Sequence, residues 1–144
     1  MEEKSMSQAE WQVMRVLWAH PKSSSNYIIQ ALQETYSWKP ATIKTLIGRL
    51  IKKDFILADT SNTKFLYSAS IPEEAHTQNQ WQNLFDHICN TKHGMIIEDM
   101  IEQVPISKSD LQAIIKVAQE KLDQAPETIT CQCIPGQCTC RQHA

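Results

Sequence analysis

Four of the five cysteines in this chain of 144 residues lie within ten residues of one another near its end. The four are Cys131, Cys133, Cys138 and Cys140, in the arrangement Cys-x-Cys-x4-Cys-x-Cys. Pro135 and Gly136 lie midway between the two pairs, and Pro followed by Gly suits the central positions of a type II turn. Because such a turn folds one Cys-x-Cys arm back on the other, the spacing predicts that the four sulfur atoms converge.

A pocket of four thiolates favours soft metal ions such as Zn(II) and Cu(I) over Mg(II) or Ca(II). One Zn(II) ion would use all four thiolates in a closed tetrahedral site. Cu(I) accepts two or three sulfur ligands, so the same thiolates could share two Cu(I) ions. One Zn(II) and two Cu(I) carry the same total charge, so exchange between them would change the geometry of the site and not its formal charge.

Disulfide formation is the alternative use of these thiols. Glu2 and Glu3 stand where a secretory signal would be basic, and no apolar run is long enough for a signal core or a membrane span. We therefore expect a cytoplasmic protein with reduced thiols, in which clustered cysteines bind metal more often than they form structural bridges. Cys89 falls on a predicted apolar helix face and is interpreted as a small core residue, and His143 as a solvated terminal residue.

Charge is divided unevenly between the two halves of the chain. Residues 1–70 contain nine Lys or Arg and six Asp or Glu, whereas residues 71–144 contain five and ten. The formal net charge is −2. Any contact with DNA phosphates is therefore expected from the first half.

The first half predicts three helices. Ser7 and Glu10 have the spacing of a capping box, in which each side chain accepts a hydrogen bond from the other residue's backbone amide. Apolar residues follow at helical spacing until Pro21, and a second helix ends near Tyr36. Pro40 is expected in the first turn of the third helix, where a missing amide hydrogen costs nothing.

The third helix, about Pro40 to Lys53, has two contrasting faces. One is an apolar stripe of Ile43, Leu46, Ile47, Leu50 and Ile51. The other is small, hydroxylated and basic, and consists of Ala41, Lys44, Thr45, Gly48, Arg49 and Lys52. Such a face suits a DNA groove, with an ordinary solvated basic face as the alternative.

Particular DNA contacts can be assigned to this helix and its surroundings. Thr42, Thr45 and Arg49 are candidates for base contacts. The candidates for phosphate contacts are Lys44, Arg49, Lys52, Lys53 and Lys64. Gly48 would allow the DNA backbone or a base to approach the helix closely.

Two short β-prone runs follow, at residues 55–57 and 65–67, separated by a polar stretch suited to a hairpin loop. Three helices and a hairpin describe a winged helix-turn-helix, in which the hairpin lies along the DNA backbone. Lys64 is the only cation of this wing and Asp59 opposes it, so the wing is expected to add little affinity. We predict a mostly α-helical fold with a small β-hairpin, and a DNA-binding domain over residues 1–71.

From residue 72 the sequence predicts acidic amphipathic helices, the first from Glu73 to about Asn90. Three short helices cannot easily bury such apolar faces alone, so a homodimer that shares one core is expected, with packing inside one chain as the alternative. The predicted dimerisation core is Trp81, Leu84, Phe85, Ile88, Ile96, Met100, Ile101, Leu111, Ile114, Ile115 and Leu122. The dimerisation domain is assigned to residues 72–123, and a linker and metal-binding tail to residues 124–144.

The first half of the chain resembles the penicillinase-repressor family of winged-helix regulators. The similarity lies in the run from Ala9 to Trp18, the run from Trp38 to Leu50 and the Arg-Leu-Ile-Lys-Lys run that ends at Lys53. It spans about residues 5–75. The sequence departs from the family at Asp54, where Gly is usual, and at the helix-capping position Lys39, where Ser is frequent.

The cysteine tail resembles that of one branch of the family, the CopY-type copper-responsive repressors of bacteria. This resemblance implies a homodimer that binds a dyad operator with TACA and TGTA half-sites while it holds Zn(II). It further implies release from DNA when Cu(I), delivered free or by a copper chaperone, replaces Zn(II). The family's recognition helix corresponds to Pro40 to Lys53, and its metal ligands to Cys131, Cys133, Cys138 and Cys140.

Two other functions remain open from the sequence. The chain could be a thiol protein that buffers or ferries Cu(I), or a repressor whose cysteines form disulfides on oxidation. An enzyme is not expected, because the sequence offers no acid/base pair or phosphate loop and a closed four-sulfur site leaves no position for a substrate.

Overall fold

The computed structural model describes residues 5–140. The elements are α1 (Gln8–Ala19), α2 (Ser25–Gln33), α3 (Pro40–Lys52), β1 (Ile56–Asp59), β2 (Leu66–Ala69), α4 (Glu73–Asp86), a 3₁₀ turn (Asn90–Lys92), α5 (His93–Gln103) and α6 (Lys108–Leu122). They form two compact units, the first ending at Gln78 and the second beginning at Asn79. No helix within residues 5–140 combines the length and the apolar character needed to cross a bilayer.

The first unit has the predicted winged-helix topology of three helices followed by a hairpin. Strands β1 and β2 pair antiparallel, with Ile56 opposite Ala69 and Asp59 opposite Leu66. Ser23, in the turn between α1 and α2, adds a backbone bridge to Tyr67 of β2. The predicted fold class, mostly helical with a small hairpin, is therefore confirmed.

The helix starts follow the local chemistry of the sequence. At the start of α1, the Glu10 amide donates to Ser7 Oγ (3.1 Å) and the Ser7 amide donates to Glu10 Oε1 (3.0 Å), which is the predicted capping box. Helix α3 starts with Pro40, and in the described part of the chain Lys39 supplies no side-chain cap. The expectation of a weak cap at Lys39 is thus confirmed.

The core of the first unit contains the apolar stripe predicted for α3. Ile43 and Leu50 are fully enclosed, and Ile51 lies at the edge of the core and is only partly buried. The buried apolar residues are Val13, Met14, Leu17, Ile28, Ile29, Leu32, Ile43, Leu46, Ile47, Leu50, Phe55 and Ile56. Because this stripe faces inward, the basic face of α3 faces solvent.

Asp54 adopts a left-handed conformation (φ +64°), which glycine adopts with least strain. The Phe55 amide donates to Leu50 O and the Asp54 amide to Ile51 O, which is the bonding pattern of a Schellman cap. The turn into β1 is therefore a Schellman cap with Asp, and not Gly, in the left-handed position. Because the Phe55 amide is used in this cap, β1 begins at Ile56 and not at Phe55 as predicted.

His76, near the start of α4, is buried against aromatic rings. It is 2% exposed, and its ring lies 4.7 Å from that of Trp11 and 5.8 Å from those of Trp18 and Phe55, between centroids. Its Nε2 has no hydrogen-bond partner among the described residues. Burial lowers the pKa of His76 below its ordinary value, because the imidazolium form would lose its hydration.

Replacing His76 with Phe is expected to increase the free energy of unfolding by about 1–2 kcal/mol, because a buried imidazole nitrogen without a partner is removed. Wild-type stability should decrease as the pH falls below about 6.5, since the unfolded chain binds a proton there and the folded chain does not until its lower pKa is reached. That part of the decrease should be absent in the variant. Urea unfolding followed by tryptophan fluorescence at pH 7.5 and 5.5 tests this, with His20→Phe as the exposed control.

The second unit leaves its apolar side chains exposed within a single chain. No residue of α5 or α6 is buried. Among the predicted dimerisation residues, Trp81 is 49% exposed, Ile115 60% and Leu122 66%, whereas Phe85, Ile88, Ile96 and Leu111 are partly covered. Packing within one chain, the alternative to dimerisation, therefore leaves most of this surface in contact with water.

Candidate nucleic-acid interface and metal centre

The exposed face of α3 brings together the residues predicted to contact DNA. Ala41, Thr42, Lys44, Thr45, Gly48, Arg49 and Lys52 are all exposed. Thr45 Oγ1 donates to Ala41 O (2.9 Å), so this hydroxyl keeps only its acceptor capacity for an external partner. The face is therefore available for a ligand, and its cations Lys44, Arg49 and Lys52 form no ion pair with another residue of the described range 5–140.

Gly48 lies in the middle of this exposed face. A Cβ atom added there would have no heavy atom of the described residues within 4 Å, so packing inside the chain does not require glycine. Glycine in a helix interior is unfavourable by about 1 kcal/mol relative to alanine. An external surface that approaches the helix closely would explain why the position is nevertheless glycine.

Replacing Gly48 with Ala is therefore expected to change stability and DNA affinity in opposite directions. The free energy of unfolding should rise by about 0.5–1 kcal/mol through helix propensity alone. Affinity for operator DNA should fall, because the added methyl group would occupy the surface at which DNA is predicted to approach. Urea unfolding and fluorescence anisotropy on the same preparation measure both quantities. A Gly48→Ala variant that binds DNA as well as the wild type would remove Gly48 from the interface.

Lys53 differs from the cations of α3 because its ammonium group pairs with Glu10. Nζ donates to both carboxylate oxygens of Glu10 (2.9 Å each) and to Ser5 O (3.0 Å). The Glu10 side chain is 3% exposed and that of Lys53 34%. Burial by itself raises the pKa of Glu10, but the Lys53 and Ser7 hydrogen bonds bring it below the ordinary value. The structure thus gives Lys53, a predicted phosphate contact, a role in joining α3 to the start of α1.

Replacing Lys53 with Met is expected to lower the free energy of unfolding by about 2 kcal/mol. This is less than for a fully buried pair, because Lys53 is partly exposed and Glu10 keeps its bond from Ser7. The contribution of the Glu10 carboxylate is present above the ordinary pKa of about 4.5 and is lost as the pH falls through the lower folded pKa. Lys52→Met is the matched control in urea unfolding. If instead both variants are equally stable and Lys53→Met reduces the salt dependence of operator binding, Lys53 is a phosphate contact after all.

The wing contains Lys64, a predicted phosphate contact, and lies beside a second cation, Lys22, that was not predicted to contact DNA. Lys64 is exposed in the loop between β1 and β2, and Lys22, in the turn after α1, lines the same surface cleft. Asp59 accepts hydrogen bonds from the Ser61 amide (3.0 Å) and hydroxyl (2.7 Å), which shapes the loop. Lys22 is distant from Lys64 in sequence, and the bridge between Ser23 and Tyr67 brings their segments together in the fold.

The cysteine tail folds as predicted around Pro135 and Gly136. Gly136 has φ +92°, and the Gln137 amide donates to Ile134 O (3.2 Å), as a type II turn requires. Each arm also carries an internal N–H···S bond, from the Cys133 amide to Cys131 Sγ (3.3 Å) and from the Cys140 amide to Cys138 Sγ (3.4 Å). Such bonds stabilise the thiolate form that binds metal ions.

The sulfur cluster includes Cys89, which was predicted from its apolar neighbours to be a small core residue. Cys89 Sγ lies 3.3 Å from Cys140 Sγ and 3.7 Å from Cys131 Sγ, and Cys131 Sγ lies 3.5 Å from Cys138 Sγ. The sulfur atoms of Cys89, Cys131, Cys133 and Cys140 all lie within 4.8 Å of one another. The interpretation of Cys89 as a core residue was therefore wrong.

The reason for this error is that α4 ends earlier than its apolar pattern predicts. The helix stops at Asp86 and not near Asn90, and His93 Nε2 donates to the carbonyl oxygens of Phe85 and Ile88 (2.8 Å each). The His93 side chain therefore satisfies carbonyl groups that a continued helix would have bonded. Cys89 consequently lies in an extended turn before the 3₁₀ segment, where its side chain meets the tail.

The residues that follow Cys89 hold the tail in place. Asn90 Nδ2 donates to Thr130 O (2.8 Å), and Lys92 Nζ donates to Thr139 Oγ1 (3.2 Å). Thr91 Oγ1 lies 3.1 Å from Cys89 Sγ and 3.4 Å from Cys140 Sγ. Both arms of the tail are thus attached to the same short loop.

The thiols differ in acidity because their hydrogen bonds differ. The hydroxyl and amide groups of Thr91 lower the pKa of Cys89 to about 5. The neighbouring thiols of Cys131 and Cys89, together with burial, raise the pKa of Cys133 above its ordinary value. A cluster of converging thiols, with amide donors to the sulfur atoms of Cys131 and Cys138, matches the donor set that soft d¹⁰ metal ions prefer. The cluster can bind a metal ion on these grounds.

Comparison with known proteins identifies the chain's relatives. A sequence model described as "Penicillinase repressor" matches residues 6–120. An uncharacterized 16.5 kDa protein of Latilactobacillus sakei is 37% identical over 134 residues, which are 93% of this chain and 92% of that protein. The methicillin resistance regulatory protein MecI of Staphylococcus aureus strain N315 is 28% identical over 116 residues, 81% of this chain and 94% of MecI.

A solved structure similar to the first half is that of monomeric Bacillus licheniformis BlaI in complex with the blaP half-operator. It is 36% identical, covers 51% of this chain and 92% of the BlaI chain, and has a TM-score of 0.45. The named relatives are repressors or regulators, in agreement with the expectation that the chain is not an enzyme. The cysteines of the tail lie beyond the residues that the family matches. With that match over most of its length, the chain belongs to the penicillinase repressor family and is a transcriptional repressor of the BlaI and MecI type.

Proposed function

We propose that this repressor responds to copper. In this proposal the homodimer binds a dyad operator while its tail thiolates hold Zn(II), and it leaves the operator when the thiolates exchange Zn(II) for Cu(I). The sulfur cluster carries the proposal, because its tail cysteines lie beyond the matched family region and have no role in a winged helix. The regulated genes would be those of copper transport, as in the branch that the tail resembles, and the protein would act in the cytoplasm.

Binding of operator DNA is supported by the exposed face of α3. Lys44, Arg49 and Lys52 can neutralise phosphates or contact bases, while Thr42 and Thr45 offer oxygen atoms to either. A two-fold dimer would present this face twice, which matches a dyad operator. This face also argues against a protein that only buffers or ferries Cu(I), for which a basic helix without acidic residues has no use.

Dimerisation is supported by the apolar side chains that α5 and α6 leave exposed. Met100 and Ile101 of α5 are 38% exposed and Ile115 of α6 is 60% exposed, although they lie on the apolar faces of their helices. Soluble monomers rarely expose such continuous apolar surfaces. A second copy of the chain would cover them with a surface of the same kind.

The switch is proposed to depend on the shape of the tail. The N–H···S bonds and the type II turn keep both Cys-x-Cys arms compact, which suits a single tetrahedral ion. Two Cu(I) ions require a different distribution of the same sulfur atoms. Because DNA and metal act on one protein, operator DNA should weaken Cu(I) binding by the factor by which Cu(I) weakens operator binding.

The test is fluorescence anisotropy of the Zn(II)-loaded protein on a labelled duplex from its own promoter. Cu(I) is then titrated while released zinc is measured in the same sample. We expect binding to be lost as about two Cu(I) ions enter and one Zn(II) leaves per chain. Binding that does not change with Cu(I) would rule out copper sensing. A purified copper chaperone loaded with Cu(I) can replace free Cu(I) to test that partner.

A redox-sensing repressor is the second candidate. It is favoured by the close approach of Cys89 Sγ to Cys140 Sγ, since a thiolate beside a thiol can form a disulfide when an oxidant removes two electrons. Peroxide added to metal-free protein on the same duplex distinguishes the two candidates. Release by peroxide, reversed by a dithiol reductant, together with indifference to Cu(I), would favour the redox function.

A further inference from the structure

Cys89 lies outside the tail motif but within its sulfur cluster, and the tail is attached to its loop by contacts that need no metal. The Asn90 side chain binds the backbone before the first Cys-x-Cys pair, and the Lys92 side chain binds Thr139 inside the second pair. Thr91 Oγ1 lies within 3.4 Å of the sulfur atoms of both Cys89 and Cys140. Several contacts of the loop, and not a single sulfur contact, therefore bring Cys89 to the tail.

The distances within the cluster select a particular set of four sulfur atoms. In a tetrahedral Zn(II) site with bonds of about 2.3 Å, neighbouring sulfur atoms are about 3.8 Å apart. The four atoms that lie mutually within 4.8 Å are those of Cys89, Cys131, Cys133 and Cys140. Cys138 contacts Cys131 (3.5 Å) but is not a member of this set.

We propose that Cys89 is a ligand of the metal centre, which therefore has five thiolates and binds Zn(II) through Cys89, Cys131, Cys133 and Cys140. The inference rests on the proposed metal response of the tail and adds a ligand from the loop between α4 and α5. Each thiol that coordinates the ion releases its proton to solvent. Cys138 then lies beside the Zn(II) site without binding the ion.

A fifth thiolate changes what Cu(I) can do at this centre. Two Cu(I) ions with three sulfur ligands each need six ligand positions. Five thiolates supply these positions with one bridging sulfur, whereas four thiolates need two bridges. Exchange of Zn(II) for Cu(I) would then make Cys138 a ligand. It would also change which sulfur atoms bind the same ion as Cys89. Because Cys89 belongs to the helical unit, the exchange would act on that unit directly and not only on the tail.

Thiol labelling of the full-length wild-type protein tests the assignment without a substitution. The metal-free and the Zn(II)-loaded protein are treated with N-ethylmaleimide, and mass spectrometry gives the labelling rate of each cysteine. We expect Zn(II) to slow the labelling of Cys89, Cys131, Cys133 and Cys140 by about tenfold or more, and that of Cys138 least. If Zn(II) protects the four tail cysteines but leaves the rate at Cys89 unchanged, the inference is wrong and the proposed function stands. If Zn(II) protects no cysteine, the proposed function itself fails.

Two variants that each remove one thiol provide a second test. Zn(II) affinity is measured by competition with a chromophoric chelator, and circular dichroism confirms that each variant is folded. Cys89→Ser is expected to weaken Zn(II) binding by about tenfold or more, and Cys138→Ser is expected to weaken it much less. The reverse order, with Cys138→Ser severe and Cys89→Ser neutral, would overturn the inference and return the site to the four tail thiolates.

Discussion

Arg49→Ala is expected to reduce operator affinity by about 1–3 kcal/mol per half-site, and hence by about 30-fold or more for a dimer on a dyad operator. Arg49 is exposed in the last turns of α3, whereas Leu46 and Leu50 on the same helix are buried. Its guanidinium group can donate two parallel hydrogen bonds to a guanine, which lysine cannot do. Loss of a base contact should also make the variant less selective between operator and unrelated DNA.

Arg15→Ala is the matched control for this prediction. Arg15 is an exposed arginine of the same unit, but it lies on α1 and not on the face of α3, so its removal changes the charge equally. Anisotropy titrations at several salt concentrations separate the two roles of Arg49. A reduction of the salt slope by about one unit with unchanged selectivity would make Arg49 a phosphate contact. Affinity equal to that of Arg15→Ala would exclude Arg49 from the interface.

Simultaneous replacement of Cys131, Cys133, Cys138 and Cys140 by Ser is expected to abolish the copper response. The remaining Cys89 cannot hold a metal ion alone, because a stable site for a soft ion needs several thiolates. Zn(II) binding should fall below detection, and Cu(I) should no longer release the protein from the operator. The winged helix should fold normally, since its core contains no cysteine among the described residues. Operator anisotropy with and without Cu(I) measures the effect.

The matched control replaces Gln132 and Gln137 by Ser. Both residues lie in the same segment and neither carries a thiol, so the tail keeps its four cysteines while its sequence changes. This control should bind Zn(II) and respond to Cu(I) like the wild type. If the protein without tail cysteines still leaves the operator on addition of Cu(I), the metal-exchange mechanism is excluded, and the copper response must lie elsewhere.

The first unit was largely predictable because its signals are local. The capping box at Ser7, the proline at the start of α3 and the apolar stripe that includes Ile43 each depend on residues within two turns of one helix. The type II turn at Pro135 and Gly136 is equally local. Features of this kind are determined by backbone sterics and by hydrogen bonds between near neighbours, and a sequence shows both directly.

Contacts between distant residues became visible only in the folded chain. The sequence assigned Lys53 to DNA, but folding brings it to Glu10, 43 positions earlier, where a buried carboxylate needs a cation. It assigned Cys89 to a core, but the His93 side chain ends α4 and turns that thiol toward Cys140, 51 positions later. Local patterns thus established the helices, the exposed basic face and the convergence of the tail thiols. Only the fold determines that Lys53 neutralises Glu10 and that Cys89 joins the sulfur cluster. Neither pair of partners has a fixed spacing along the chain.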